Sequence, residues 1–464
     1  SQWYLDIINV ADLADYSPVK GCMIIKPNGY ALWERIQSIL NNEFKRQGVK
    51  NLYFPMLIPE RLLKREADHV EGFAPEVAIV THAGGEKLDE PLVLRPTSET
   101  IMYEVFKDWI RSYRDLPLLV NQWANVIRWE KRTKPFLRTT EFLWQEGHTV
   151  HINELEADNF ARKMLHVYED FFKNYMAIPI IIGFKSENEK FAGALKTYTC
   201  EAMMQDGKAL QIATSHNLGD NFAKAFDIKY LNDSNEQVYA WQTSWGLSTR
   251  SIGGLIMVHS DDKGLVVPPK MAETHIVIVP IIPNADQKDF INTKALKLGE
   301  IFKDNDNINI HVDIRDVRHG EKYFEWEKRG IPIRIEIGPK DIEKGSVVIV
   351  RRDTGEKEVV LKENILSRAK ELLIDIQNNL YDSALKIRDD NIVSVSNWED
   401  FTKELECRKF ILAHWDGTVE TEKIIKEETG ATIRCIPLNQ EIETGKCIKT
   451  GKESKQKVIF AKAH

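Results

Sequence analysis

The stretch TEFLWQEGHTVH, residues 140 to 151, alternates in a way few folds can accommodate. Phe142, Trp144, Glu146 and His148 fall two apart, so an extended strand turns all four to one face. A solvent face does not favour two large aromatics. A core does not favour a carboxylate beside an imidazole without partners. The strand must therefore line something.

A second alternation lies just upstream. Arg128 and Glu130 sit two apart in VIRWEKR, and a loop with Lys131, Arg132, Lys134 and Arg138 joins the two stretches. Two strands around a basic loop predict a hairpin. Its inner face would carry Arg128, Glu130, Phe142, Trp144, Glu146 and His148. Two readings fit such a face: salt bridges on an antiparallel sheet, or a small-molecule pocket. In the pocket a guanidinium takes phosphate or carboxylate, an aromatic stacks on a ring, and carboxylates take an ammonium. Two aromatics among four ionisable groups favour the pocket. Further on, TSWGLSTRSIGG runs from a strand pattern into a helix pattern, with Gly246 ahead of Arg250. That order would bring a second guanidinium over a bound nucleotide, although an isolated Arg at a helix start is more often simply solvated.

The chain of 464 residues is too long for one core. A hydrophobic content of 43% suits a globular enzyme, and the only apolar runs are short ones such as HIVIVPIIP. No membrane span is expected. The acidic start lacks a secretory signal and an initiator Met, so a trimmed chain is expected. Five scattered cysteines suggest a reducing compartment, the cytoplasm. The net charge of −7 neither indicates nor excludes a polyanion partner, because binding follows the local patch.

Three segments emerge. Up to residue 268, NGYALWERIQSILNNEFKRQG predicts an amphipathic helix, capped by Asn28 and ended by Gly48. The strand NLYFPMLIP follows it, with Pro55 marking a sheet edge. A second helix is expected from Glu154 to Met176, then strands KTYTCEAMM and KALQIATSH. HSDDKGLVVPPK reads as a linker. Residues 269–378 alternate strand and helix patterns, a small α/β domain. In its EKYFEWEKRG helix, Tyr323, Phe324 and Trp326 lie among basic residues, and Phe324 is expected on the core face. Residues 379–464 read as a small mixed module.

These motifs, in this order and spacing, resemble the class II aminoacyl-tRNA synthetases, and among them the prolyl-tRNA synthetases of archaeal/eukaryotic type. The helix from Gly29 and the strand ending at Pro55 resemble motif 1. RWE at Arg128–Glu130 followed by FLRTTEFLWQEGH resembles motif 2, and GLSTR at Gly246–Arg250 resembles motif 3. LRPTSET, WQEGH and TSHNLG resemble the family's proline signature. The resemblance covers the whole chain and implies an α/β multidomain protein. Its parts would be an antiparallel-sheet catalytic core at 1–268, an α/β anticodon-binding domain at 269–378, and a C-terminal zinc-binding-like module at 379–464. The implied activity joins L-proline to tRNA(Pro) with ATP and Mg²⁺, as a cytoplasmic homodimer.

The resemblance also implies residue roles. Arg128 and Arg250 would be catalytic. Arg128, Glu130, Arg138, Thr139, Phe142, Gln211, Thr214, Ser248 and Arg250 would bind ATP, with Gln211 near its Mg²⁺. Thr97, Glu99, Arg128, Trp144, Glu146, His148 and His216 would bind proline. No editing domain is expected between motifs 2 and 3. A threonyl enzyme would need zinc ligands in the pocket, and Cys200 stands alone there. The tail departs from the family, whose zinc positions here read Asp416, Thr421, Cys447 and Thr450. One thiolate remains, so no structural zinc is expected. The chain ends in His464 where the family commonly has Tyr, which leaves a C-terminal role near the active site unsupported.

Overall fold

The computed structural model describes residues 2–65, 71–72, 77–305 and 307–464. Its backbone is organised by an eleven-stranded sheet among those residues. In chain order the strands are β1 (Lys50–Asn51), β2 (Leu118–Ile127), β3 (Glu141–His151), β4 (Ile180–Phe184), β5 (Lys196–Met203), β6 (Ala209–Gly219), β7 (Trp241–Ser248), β8 (Ile392–Ser394), β9 (Phe410–His414), β10 (Thr432–Pro437) and β11 (Lys457–Ala461). Across the sheet they lie in the order β8-β9-β11-β10-β4-β5-β6-β7-β3-β2-β1. The run from β4 to β2 is antiparallel throughout. The stretch 140–151 is therefore a central strand, paired on both sides.

The helices that matter for the site are α1 (Pro27–Arg46), α2 (Glu99–Trp109), α3 (Glu154–Asn174), α4 (Arg250–His259), α5 (Ile365–Asp390) and α6 (Val419–Thr429). Helix α3 is capped by Asn153, whose side chain accepts from the Glu156 N–H at 2.9 Å. Its apolar stripe, with Met164, Tyr168, Phe171 and Phe172 buried, covers one face of β5, β6, β7 and β3. The other face is left for the site. Gly147 serves that back face: a Cβ there would lie 2.1 Å from the Trp245 indole, so only glycine lets the ring lie flat across the strand.

Several expectations are corrected. Helix α1 starts at Pro27, with Lys26 as its cap residue, and Asn28 instead donates to the Ala11 carbonyl at 3.1 Å. Proline at the first helical position costs no hydrogen bond, because that N–H has no partner in any helix. NLYFPMLIP is not one strand. It splits into β1, parallel to β2, and Leu57–Pro59, which joins a separate three-stranded sheet. Pro55 lies in the break, where side chains replace the ladder. The Phe54 N–H donates to Gln122 Oε1 at 2.8 Å, and its carbonyl accepts from Arg95 at 2.8 Å. The supposed linker is packed: Leu265 to Pro269 are buried, and Arg352 clamps Asp261 with two bonds of 2.7 Å.

In the second segment a five-stranded sheet has three parallel strands (Ile310–Val312, Ile276–Pro280, Ile333–Ile337) continued by two antiparallel ones (Ser346–Arg351, Lys357–Leu361). Its helix His319–Lys328 buries Trp326, which donates to Asp313 Oδ2 at 2.8 Å. Phe324, expected in the core, is 65% exposed. Tyr323 and Trp326 are three apart and share the inward stripe, and Phe324 falls between them on the outer one.

Helix α5 runs unbroken through residues 378 and 379 and leads into the last segment, whose strands extend the catalytic sheet. Ile436 and Pro437 of β10 pair with Phe184 and Gly183 of β4. A buried charge cluster seals the seam. Lys185 Nζ donates to Glu201 Oε1 and to the Arg434 carbonyl, both at 2.7 Å, and Arg434 Nε reaches Glu201 Oε2 at 3.1 Å. Ile433, Ile436, Val458, Ile459 and Phe460 form the local core, as do Cys200 and Cys435 nearby, while Cys407 is exposed.

Candidate active site

The open face of the sheet holds a cavity of about 280 Å³. Strand β3 contributes Phe142, Trp144, Glu146 and His148, the four residues its alternation singles out. Strand β7 contributes Ser244, Gly246 and Ser248, and β6 contributes Gln211, Thr214 and His216. Thr97 and Glu99 close one side from the start of α2. Arg128 follows β2, and Arg250 opens α4.

The floor is tied by one buried carboxylate. Glu146 accepts from the Ser98 N–H at 3.2 Å and from Gln122 Nε2 at 2.6 Å, and its Oε2 lies 3.1 Å from His148 Nε2. Tyr103 OH lies 3.0 Å from the other imidazole nitrogen. Burial alone would raise the Glu146 carboxyl; the hydrogen bonds and charge of His148, with Ser98 and Gln122, overcome it and hold it below the carboxylate range. Burial would likewise lower His148, but Glu146 pulls it up. A charge-assisted pair results. Thr97 Oγ1 bonds Glu99, so the second carboxylate is also held in place.

His216 is governed differently. Burial, then the charges of His148 and Arg128, push it down to about 3, so it is a neutral ring. Its Nδ1 lies 2.9 Å from Thr197 Oγ1 and its Nε2 3.2 Å from Thr214 Oγ1. Phe191 stacks on it, centroids 4.5 Å apart.

Two guanidiniums enter the same cavity. Arg128 donates to the Pro96 carbonyl at 2.9 Å, and its guanidinium lies 5.5 Å from the Phe142 ring and 5.3 Å from the Trp144 ring. Arg250 is anchored on the Leu137 carbonyl at 3.1 Å and the Gln211 carbonyl at 3.3 Å. Burial, then Arg128 and Arg138, lower Arg250 to about 10. Two guanidiniums in one cavity repel each other, and a polyanion between them removes that cost.

Three expected residues stand outside the cavity lining. Glu130 accepts from Arg138 Nε at 2.7 Å within the loop, so this pair lies on the loop and not on the inner face. Thr139 turns its hydroxyl to the Glu141 carbonyl at 2.7 Å. The lining also includes residues that the sequence does not single out, among them Glu189, Phe191, Thr197 and Ser244. The last two had a signal, since Thr197-Thr199-Glu201 and Ser244-Gly246-Ser248 also alternate. Glu189 and Phe191 sit in a loop without periodicity.

Residues 81–259 match the model of the tRNA synthetase class II core domain (G, H, P, S and T). Residues 275–372 match that of the anticodon binding domain, and 398–464 that of the prolyl-tRNA synthetase C-terminal domain. The chain is 54% identical to a proline–tRNA ligase of Chlorobaculum tepidum over 472 residues, covering 100% of this chain and 98% of that protein. It is 56% identical to that of Roseiflexus sp. over 470 residues (100% and 97%) and 52% identical to that of Phocaeicola vulgatus over 482 residues (100% and 97%). The chain belongs to the class II prolyl-tRNA synthetases. In this prolyl-tRNA synthetase fold the antiparallel core, the five-stranded segment and the tail correspond to the three matched regions. Among the described residues no helix is long and apolar enough to cross a membrane.

The Glu146–His148 pair sets a pH dependence. The lowered Glu146 contributes stability present above its ordinary 4.5 and lost as pH falls through its folded value. The raised His148 contributes stability present below its ordinary 6.5 and lost as pH rises through its folded value. Glu146→Gln should therefore lower Tm most between pH 4.5 and 6.5, with the gap to wild type narrowing on both sides. Thermal melts of both proteins across pH check this; a gap that does not change with pH refutes it.

Proposed function

We infer that this chain activates L-proline with ATP and transfers it to the 3′ end of tRNA(Pro). The observation that carries the reading is the charge of the cavity lining, which sets two arginines and two tethered carboxylates around one space. ATP lies at the end that Arg250 closes. Phe142 stacks on the adenine, Arg250 covers it, and Thr214, Ser248 and Gln211 line its course. Glu130, Arg138 and Thr139 contact ATP from the motif 2 loop once Arg138 exchanges Glu130 for phosphate. Proline lies at the other end, its secondary ammonium on Glu99 and Thr97, its ring against Trp144. Glu146 and His148 hold the floor. A neutral His216 adds no charge to a site built for an ammonium.

The proline carboxylate attacks the α-phosphorus in line and displaces pyrophosphate. The terminal tRNA hydroxyl then attacks the carbonyl and releases AMP. Arg128 spans both substrates and Arg250 neutralises charge that grows in the transition state, so positioning and electrostatics carry the reaction. Mg²⁺, brought by ATP, would add charge neutralisation on the phosphates. Among the described residues no cluster of three or more His, Cys, Asp or Glu could hold a metal alone. An octahedral ion that keeps its water and phosphate ligands needs only one or two protein oxygens, and the Gln211 amide fits.

We assign the chain to the archaeal/eukaryotic architecture, with the three domains bounded near 268 and 378, although the relatives above are bacterial. The support is the C-terminal match and the interval between Gly147 and Gly246, filled by α3 and three pocket strands, which leaves no room for an inserted editing domain. Cytoplasmic placement follows from the substrate.

Arg128→Ala should abolish proline-dependent ATP–pyrophosphate exchange while leaving the fold intact. Its charge-assisted bonds are each worth roughly 1.5–3 kcal/mol, and both substrates lose them. Near-normal exchange in that variant refutes the pocket assignment.

The enzyme is a homodimer in this reading: β1 ends the sheet with two residues, and Tyr53, Leu57 and Trp109 are exposed beyond it. Light scattering should give twice the chain mass at micromolar concentration; a stable monomer counts against it.

The tail is metal-free in this reading. Asp416 Oδ2 accepts from the hydroxyls of Thr421 at 2.8 Å and Thr450 at 2.9 Å, so the positions of the family's metal ligands are satisfied by one another. Hydroxyls that donate to a carboxylate make poor zinc ligands, and Cys447 is the one thiol in the set. Elemental analysis should find less than one zinc per chain after dialysis, and chelators should not shift Tm.

A further inference from the structure

The loop between β4 and β5, residues 185–195, supplies two of the cavity-lining residues that show no sequence signal, Glu189 and Phe191. Phe191 is held from inside the catalytic domain: its N–H donates to Thr197 Oγ1 at 2.9 Å, and its ring stacks on His216. The start and middle of the loop are held from outside it. Lys185 is bound to the Arg434 carbonyl of β10. Ser186 Oγ donates to Glu422 Oε1 of α6 at 2.8 Å, a bond that spans 236 residues of sequence and is buried. Lys426, one turn further along α6, reaches the Glu189 carboxylate at 3.4 Å. Three contacts from the C-terminal domain, one main-chain carbonyl and two side chains, thus land on the first five residues of a loop whose fifth and seventh residues line the pocket.

We propose that Ser186, Glu422 and Lys426 are positioning residues for the amino-acid substrate: the C-terminal domain sets the affinity for proline by fixing the loop that carries Glu189 and holds Phe191 on His216. The proposal rests on the assignment of that end of the cavity to proline. The ATP end is built from β3, β6, β7 and α4, and among the described residues Phe142, Gln211, Thr214, Ser248 and Arg250 have no hydrogen bond to α6. Loosening the loop should therefore separate the two substrates kinetically. A side chain whose only task is stability would shift Tm and leave the KM of both substrates alone.

The test is pyrophosphate exchange on the full-length enzyme carrying Ser186→Ala, Glu422→Ala, the double variant, Lys426→Ala or Lys426→Arg. Proline KM should rise about threefold or more in each alanine variant, with ATP KM and kcat within about twofold of wild type. The Ser186/Glu422 double variant should be no worse than the poorer single one, because both remove the same bond. Lys426→Arg should restore proline KM. Lys426 is half exposed, so its alanine variant folds even if loss of buried Glu422 proves disruptive. His216→Ala separates the two layers: if it raises proline KM while Lys426→Ala and Ser186→Ala leave it unchanged, the coupling is wrong and the pocket assignment stands. If His216→Ala leaves proline KM unchanged, the pocket assignment itself fails.

Discussion

Glu146 brings a carboxylate into a place where bulk water cannot hydrate it, and the surrounding structure is arranged to compensate. Its two oxygens are shared among the Ser98 N–H, Gln122 and His148. These partners come from the start of α2, from β2 and from β3 itself. Removing His148 leaves an uncompensated buried charge, at a cost of about 3–5 kcal/mol. The carboxylate thus sets the spacing between the loop that carries Thr97 and Glu99 and the strand that carries Trp144. Gln122 also bonds the Phe54 N–H, so the constraint extends to the break between β1 and the small three-stranded sheet. Arg95 reaches the same break from the other side and holds the Asn125 carbonyl at 2.7 Å.

The central strand was the most legible element, because a period of two with mixed aromatics and charges has few explanations. Every residue that this alternation placed on the inner face lines the cavity. Extending the same face back to Glu130 failed. Strand β2 ends at Ile127, and beyond it loop geometry, not pleat, directs side chains; Glu130 finds Arg138 locally. Pro55 departs for a related reason: the apolar run around it has the pattern of one strand, but side chains satisfy the backbone there. Phe324 shows the limit of composition, since an aromatic on a helix goes inward only if it falls on the stripe. The contributions of Glu189 and Phe191 were illegible in principle. Glu189 is placed by Lys426, 237 positions away, while Phe191 rests on Thr197 and His216 from a loop without periodicity.

The electrostatic layout also depends on long-range pairing. Arg250 reaches the cavity because β7 lies beside β3, and its guanidinium rests on carbonyls from the motif 2 loop and from β6. Nothing local to GLSTR distinguishes it from any solvated helix start. Its lowered basicity and that of His216 have the same first cause, burial, with opposite consequences: the arginine stays charged and awaits an anion, while the imidazole gives up its proton.

The pairing of β10 with β4 has a consequence for how the chain is made. Strand β4 is reached at residue 180, but the strand that covers its outer edge is not reached until residue 432, and β11, which completes that strand's own pairing, ends at residue 461. On the ribosome, synthesis at about 5–20 residues per second leaves β4 as an uncapped edge, with Glu201 and Lys185 still lacking Arg434, for ten seconds or more. An unpaired apolar edge held open that long is a template for strand addition by another nascent chain. The enzyme that supplies the ribosome with an aminoacyl-tRNA is thus a slow client of it, its catalytic sheet closed only by strands at 432–461.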